Sequence, residues 1–240
     1  MDLTADTFFN GRLKVFQGRA GYRFSIDALL LAHQVKPRKG DRRVVDFGTG
    51  CGILPLLMAY RHGALDICGV EIQPALAHLA RENVQANGLT HRIRVIEADL
   101  QTVTPQRLGF SADLIVSNPP YRQAASGRIN PHEERALARH EIALTLEGLL
   151  RSVRRVLRTG GYFWTIYPSE RLPELIRRMQ RFHIEPKFMR LIHSRAHSDA
   201  RLVVMAGVKA AGAGLAVGPP LVIYRDERHY TAEVQAMFNP

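Results

Sequence analysis

Short apolar runs alternate with longer amphipathic ones along most of the chain, and the two periods predict the order of elements. RVVDF (43–47), ICGVE (67–71), IRVIEAD (93–99) and DLIVSN (113–118) are nearly continuous apolar runs of strand length. Between them, ILPLLMAYRH and PALAHLARENVQANG carry helical spacing, the second opened by Pro74 and stopped by Gly88. Strands that lack polar alternation are buried on both faces, which predicts a parallel sheet with helices above and below. Downstream, a helix is expected over HEIALTLEGLLRSVRRVL, ended by Gly160 and Gly161, then a strand over YFWTIY (162–167) and a helix over SERLPELIRRMQRF. Two further strands are expected over KFMRLIH and ARLVVMAGVKA. The intervening HSRAHSD is too short for a crossover helix, so these two are antiparallel neighbours. The expected fold is α/β: a seven-stranded, mostly parallel sheet with one antiparallel strand and helices on both faces.

The ends differ from this repeat. LKVFQGRAGYRF (13–24) reads as two short strands about a glycine turn, followed by a helix over IDALLLAHQV that Pro37 and Gly40 end. Ser25 is placed to cap that helix, with Asp27 in its first turn and Phe24 as an apolar staple. AGAGLAVGPP (211–220) has the composition of a flexible connector, and the tail after it predicts a short strand and a helix from Thr231. The division expected is residues 1–36 as a hairpin and helix cap, 37–210 as the main domain, and 211–240 as connector and tail packed on it.

Composition narrows the classes. The 240 residues hold one sizeable core, and with 46% hydrophobic and 23% charged residues the chain is an ordinary globule rather than a disordered segment. No apolar window is long enough to cross a bilayer and no leader pattern opens the chain, so a cytoplasmic protein is expected. The two cysteines, Cys51 and Cys68, have no metal-ligand spacing and the histidines are scattered, so no metal is expected. The formal charge of +11 favours encounter with polyanions. Residues 122–195 alone hold 15 Arg or Lys against 7 Glu and no Asp. That excess is either a solvated basic surface or a nucleic-acid face near the end of the fourth strand.

Candidate chemistry gathers at strand ends. DFGTGCG (46–52) occupies a strand-to-helix junction, where glycines admit tight turns and close approach of a ligand. By itself it is equally a structural turn. Glu71 ends the second strand and could accept both hydroxyls of a ribose; Asp99 ends the third and could accept from an adenine amine. Either acid alone could be a turn residue, but three successive strands presenting an acid at one end is a pattern. An acid after the first strand repels a pyrophosphate and suits a cationic amino-acid cofactor, which S-adenosylmethionine satisfies at all three positions. The fourth strand runs into SNPPY (117–121). Its paired prolines hold one extended shape. The Asn118 amide oxygen and the Pro119 carbonyl can accept the two N–H bonds of a planar amine, and Tyr121, held by Pro120, offers a ring for stacking. Such a ledge aligns an sp² nitrogen for methyl transfer without a strong base.

SNPPY resembles the signature of class I amino-methyltransferases acting on adenine N6, cytosine N4 or a glutamine amide. GYRFSIDALLLA, DFGTGCGIL, Glu71, EADL and SNPPY, in this order, resemble the bacterial tRNA1(Val) adenine-37 N6-methyltransferase family over nearly the whole chain. The resemblance implies the class I methyltransferase, Rossmann-like fold, with S-adenosylmethionine as cofactor and S-adenosylhomocysteine as product. It implies that Asp46, Phe47, Gly48 and Gly50 meet the methionine moiety. Glu71 would meet the ribose, Asp99 the cofactor adenine, Ile72 and Leu100 beside them the cofactor, and Asn118 to Tyr121 the target base. Phe24, Ser25 and Asp27 would close over the methionine end. Arg122, Arg128, Arg139 and His140, beyond the ledge, are the candidates for RNA phosphates; Arg154, Arg155, Arg177 and Arg178 read as surface charge. The implied partner is RNA, tRNA in particular, with the protein a monomer or weak dimer. The arginine-rich insert after Tyr121 and the 211–220 connector depart from the family pattern and leave the particular RNA open. The rival readings are a protein glutamine N5-methyltransferase, a DNA methyltransferase, and an RNA-binding protein without transfer activity.

Overall fold

The computed structural model describes residues 3–18, 26–119 and 145–238. The strands are β1 (Leu3–Phe8), β2 (Leu13–Gly18), β3 (Arg43–Phe47), β4 (Asp66–Glu71), β5 (Ile93–Glu97), β6 (Ala112–Ser117), β7 (Leu157–Pro168), β8 (Ile184–His193), β9 (Ala200–Lys209), β10 (Ala216–Val217) and β11 (Leu221–Val222). The described α-helices are α1 (Ile26–Gln34), α2 (Ile53–Arg61), α3 (Pro74–Ala86), α4 (Pro105–Leu108), α5 (Leu146–Val156), α6 (Leu172–Arg181) and α7 (Ala232–Phe238).

Apart from β11, which pairs with β8, the main sheet runs in the order β10-β8-β9-β7-β6-β3-β4-β5. Only β9 is reversed, pairing antiparallel with both β7 and β8. The expected mostly parallel α/β sheet with one antiparallel strand is therefore present. It counts nine strands rather than seven because β10 and β11 add two-residue strands at its edge. Successive residues of the strands feed opposite cores, Val44 and Val45 or Leu114 and Ile115 being examples. One core lies under α1, α2, α3 and α7, the other under α4, α5 and α6. Burial on both faces is why these strands show no polar alternation.

Three expectations about the elements are corrected, and a fourth falls partly outside the described residues. Among the described residues β2 pairs with β1, which precedes it, and the strand expected after QGRAG lies outside the described residues. The turn between them uses positive φ at Phe9, Asn10 and Gly11, the chemistry that an Asn-Gly pair supplies. α5 begins at Leu146, because Thr145 is extended and its hydroxyl accepts from the Gly148 N–H. Gly160 and Gly161 lie inside β7 rather than ending a helix: a Cβ at Gly161 would come within 2.9 Å of the Asp113 carbonyl. The 211–220 segment is also no free connector. It supplies β10, and Arg190, 9% exposed, donates to the Pro219 carbonyl at 2.8 Å and to both oxygens of Glu233 at 2.6 and 2.8 Å. This brace holds α7 and the preceding loop against the sheet.

Candidate active site

The chain leaves β3 toward β4 and β5 on one side and returns to β6 on the other, so the sheet's switch point lies between β3 and β6. A ligand crevice belongs at the carboxyl ends of these two strands. Asp46 is level with Val116, and the Ser117 hydroxyl donates to the Phe47 carbonyl at 2.8 Å. Continuing that register by two residues sets Asn118 beside Gly48. The amide of the SNPPY ledge and the first glycine of the loop thus flank one crevice.

The loop itself is built by backbone conformation. Gly48, Gly50 and Gly52 take φ of 78°, 57° and 85°, which side-chain-bearing residues rarely adopt. The Gly48 and Thr49 N–H groups both donate to the Val70 carbonyl, at 2.9 and 3.0 Å. The Thr49 side chain sits over Gly69 so closely that a Cβ there would lie 2.8 Å from its hydroxyl. Glu71, 4% exposed, accepts from the Gly50 N–H at 2.9 Å and from the Gln73 N–H at 3.0 Å. Its carboxylate therefore ties the glycine loop to the end of β4, with lone pairs left over for a further donor.

Asp46 has a different status. It is 1% exposed, and neither carboxylate oxygen meets a hydrogen-bond partner in the described structure. Burial pushes its pKa up to about 7, and the Glu71 charge adds to the rise, while the nearby Thr49 hydroxyl acts against it. A buried carboxylate without a donor beside an open glycine loop is a cradle for a cationic group. Asp99 is half-buried and caps the short turn after β5, accepting from the Gln101 N–H at 2.8 Å. Leu100 is buried next to it, whereas Ile72 is 43% exposed, a large apolar side chain at the mouth between the ends of β4 and β5. Phe47 places its side chain wholly in the core, so what it offers the crevice is backbone. Asp27 stands in the first turn of α1, and Pro119 is buried. Phe24, Ser25, Pro120, Tyr121, Arg122, Arg128, Arg139 and His140 lie outside the described residues.

Asn83 was not singled out in the sequence. This α3 side chain is fully buried; its oxygen accepts from the Phe16 N–H at 2.7 Å, and its NH₂ donates to the carbonyls of Phe16 at 2.8 Å and Cys51 at 2.9 Å. One amide thereby joins the hairpin, α3 and the glycine loop. Asn87, one turn on, grips Lys14 in the same way. Asn83→Ala would strand the Phe16 N–H and the Cys51 carbonyl, and a loss of about 2–4 kcal/mol is expected in chemical denaturation. Arg155 also differs from its reading as surface charge: it donates to the carbonyls of Val103, Leu100 and Gln101 and braces the segment that carries Asp99. Among the described residues no group of three or more His, Cys, Asp or Glu is placed to hold a metal ion, and no helix is long and apolar enough to cross a membrane.

Comparisons with known proteins agree with this layout. The chain is 35% identical over 161 residues to the tRNA1(Val) (adenine(37)-N6)-methyltransferase of Tolumonas auensis, covering 67% of this chain and 65% of that one. It is 33% identical over 190 residues to the enzyme of the same name from Aeromonas hydrophila, covering 78% of this chain and 77% of the relative. The match thus spans a little under two thirds of the first relative and about three quarters of the second. Among solved structures, a predicted O-methyltransferase from Agrobacterium tumefaciens superposes with a TM-score of 0.68 at 22% identity, covering 88% of this chain and 94% of that one. The likeness establishes a shared class I methyltransferase fold. The methyltransferase small domain profile matches residues 23–180, more than half of the chain. The chain belongs to the methyltransferase small domain family.

Proposed function

We propose that this protein is an S-adenosylmethionine-dependent methyltransferase that modifies the N6 amine of an adenine in structured RNA, tRNA in particular. The observation that carries the reading is the pairing, across the switch point, of an unpartnered buried Asp46 with the Asn118 ledge. Relatives named as tRNA adenine N6-methyltransferases support the substrate class.

The residues present fit the cofactor's groups. Asp46 supplies a negative charge for an ammonium, the Gly48–Gly52 turn admits close approach of a chain, Glu71 retains acceptor capacity for ribose hydroxyls, and exposed Ile72 offers an apolar face for a base. When bound, the cofactor supplies the electrophilic methyl group. The protein's part is alignment. Asn118 and the Pro119 carbonyl accept the two N–H bonds of the target amine, fixing its plane and favouring the positive charge that develops on nitrogen. The excess proton passes to water. Arg122, Arg128, Arg139 and His140 are assigned to the RNA backbone, and Tyr121 to the face of the extruded base.

Glu71→Ala removes an acceptor and also releases the Gly50 N–H. Calorimetry with S-adenosylhomocysteine is expected to show affinity weakened at least about tenfold, the value of one charge-assisted hydrogen bond or more. An unchanged dissociation constant would remove Glu71 from the cofactor site. The proposal as a whole is tested by incubating the protein with labelled methyl donor and separate tRNA, rRNA, DNA and protein fractions. Label is expected in tRNA, recovered as N6-methyladenosine after digestion; label in protein glutamine instead would overturn the substrate class.

A further inference from the structure

The described charge is unevenly distributed. The carboxyl end of the sheet, where the crevice opens, presents Asp46, Glu71 and Asp99, while a dense cationic group sits at the opposite, amino end. There the linker from α1 into β3 reads KPRKGDRR (36–43), five cations in eight residues with one acid. That acid, Asp41, is 6% exposed and already engaged by Arg38 and Arg158. Lys36, Lys39, Arg42 and Arg43 are exposed and form no ion pair among the described residues. Arg94, near the amino end of β5, joins them: its guanidinium and that of Arg43 both lie over the Phe110 ring, at 5.4 and 5.5 Å. The backbone N–H groups of Arg42 and Arg43 donate to Asp113 at 3.0 and 2.9 Å, which fixes the linker against the amino end of β6.

Holding exposed cations without ion-pair partners among the described residues on a rigid frame costs self-repulsion. Such a frame suits a polyanion with charges at regular spacing. We propose that the KPRKGDRR linker with Arg94 is a second docking point for the RNA backbone, binding phosphates of a part of the molecule beyond the target nucleotide. The inference rests on the proposed RNA substrate, because RNA is the polyanion that this activity brings to the protein. The surface is separated from the crevice by the length of a strand, about 17 Å for five residues. No single nucleotide reaches both, so the target adenine and the phosphates held here belong to different parts of one folded RNA.

The test compares K39E/R42E with R81E/R177E, a control that removes the same charge from exposed positions on α3 and α6. Fluorescence anisotropy is measured over a salt series with full-length tRNA and with a short stem-loop carrying the target adenine. For K39E/R42E, binding of full-length tRNA is expected to weaken about tenfold or more, with the log–log salt slope reduced by roughly two, one for each phosphate that is no longer neutralised. Stem-loop affinity and S-adenosylhomocysteine affinity stay at wild-type values. Unchanged tRNA binding, an equal loss in the control, or an equal loss on the stem-loop would each overturn the inference. Wild-type protein that binds no RNA at all would overturn the proposed substrate as well, and so separates the two failures.

Discussion

Asn118→Ala is expected to lower the rate of methyl transfer by about 10²–10³-fold, the range seen when one preorganised polar group is removed from a transition-state site. Asn118 follows Ser117, whose hydroxyl is bonded to the Phe47 carbonyl, and precedes a buried Pro119, so the backbone that aims it is held from both sides. Loss of the amide oxygen leaves that frame in place. The defect should therefore fall on kcat measured by single-turnover transfer, with cofactor affinity in calorimetry close to wild type. Asn118→Asp is a useful companion, because it keeps the acceptor and adds charge. Partial recovery there relative to alanine would identify the accepting oxygen as the working group.

Asp46→Asn is expected to stabilise the cofactor-free protein and to abolish cofactor binding. The buried Asp46 has its pKa raised from 3.8 to about 7, so the folded state holds a proton that the unfolded chain releases. Where the folded state binds more protons, stability falls as pH rises, here from about pH 4 until about pH 7, beyond which the loss is constant. The cost of the charged form above pH 7 is on the order of 4 kcal/mol. Asparagine avoids it, so Tm at pH 8 should rise by roughly 10 °C, while below pH 4 the two proteins should melt together. The same proton opposes binding of an ammonium group. Wild-type affinity for S-adenosylhomocysteine should fall about tenfold per pH unit as pH drops below 7, whereas the variant should show no binding at any pH. Equal melting of the two proteins at pH 8 would contradict the account of Asp46.

The elements that position the crevice were legible because each carries its own signal. The runs at 43–47 and 113–118 are apolar on both faces, and Pro74 and Gly88 bound α3 at the expected places. The acids at 46, 71 and 99 stand at strand ends whatever the tertiary structure does. What was not legible depends on distant partners. β10 and β11 are two residues each and exist only through pairing with β8, a length at which no periodicity can be read. Asn83 looks like a solvent-facing helix residue; its burial comes from Phe16, 67 residues earlier. An asparagine inside a helix, where it is a poor former, was the available hint. β1 and its turn went unread although Asn10-Gly11 is a strong hairpin signal, because QGRAG drew the turn assignment instead.

Glu71 shows a middle case. Its position at the end of β4 was readable, but its present bonds to the Gly50 and Gln73 N–H groups were not. A carboxylate that orders the glycine loop before a ligand arrives reduces the ordering cost of binding, so Glu71 is part of the loop's construction as well as of the proposed cofactor site.

A structure of the protein with S-adenosylhomocysteine and a substrate RNA tests the central claim most directly. The measured quantity is the distance from the Asn118 amide oxygen to the exocyclic nitrogen of the extruded adenine. The account predicts a hydrogen bond of about 3 Å, with the adenine amine facing the cofactor sulfur across the switch point. An adenine bound elsewhere, or an Asn118 side chain turned away from the base in that complex, would contradict it.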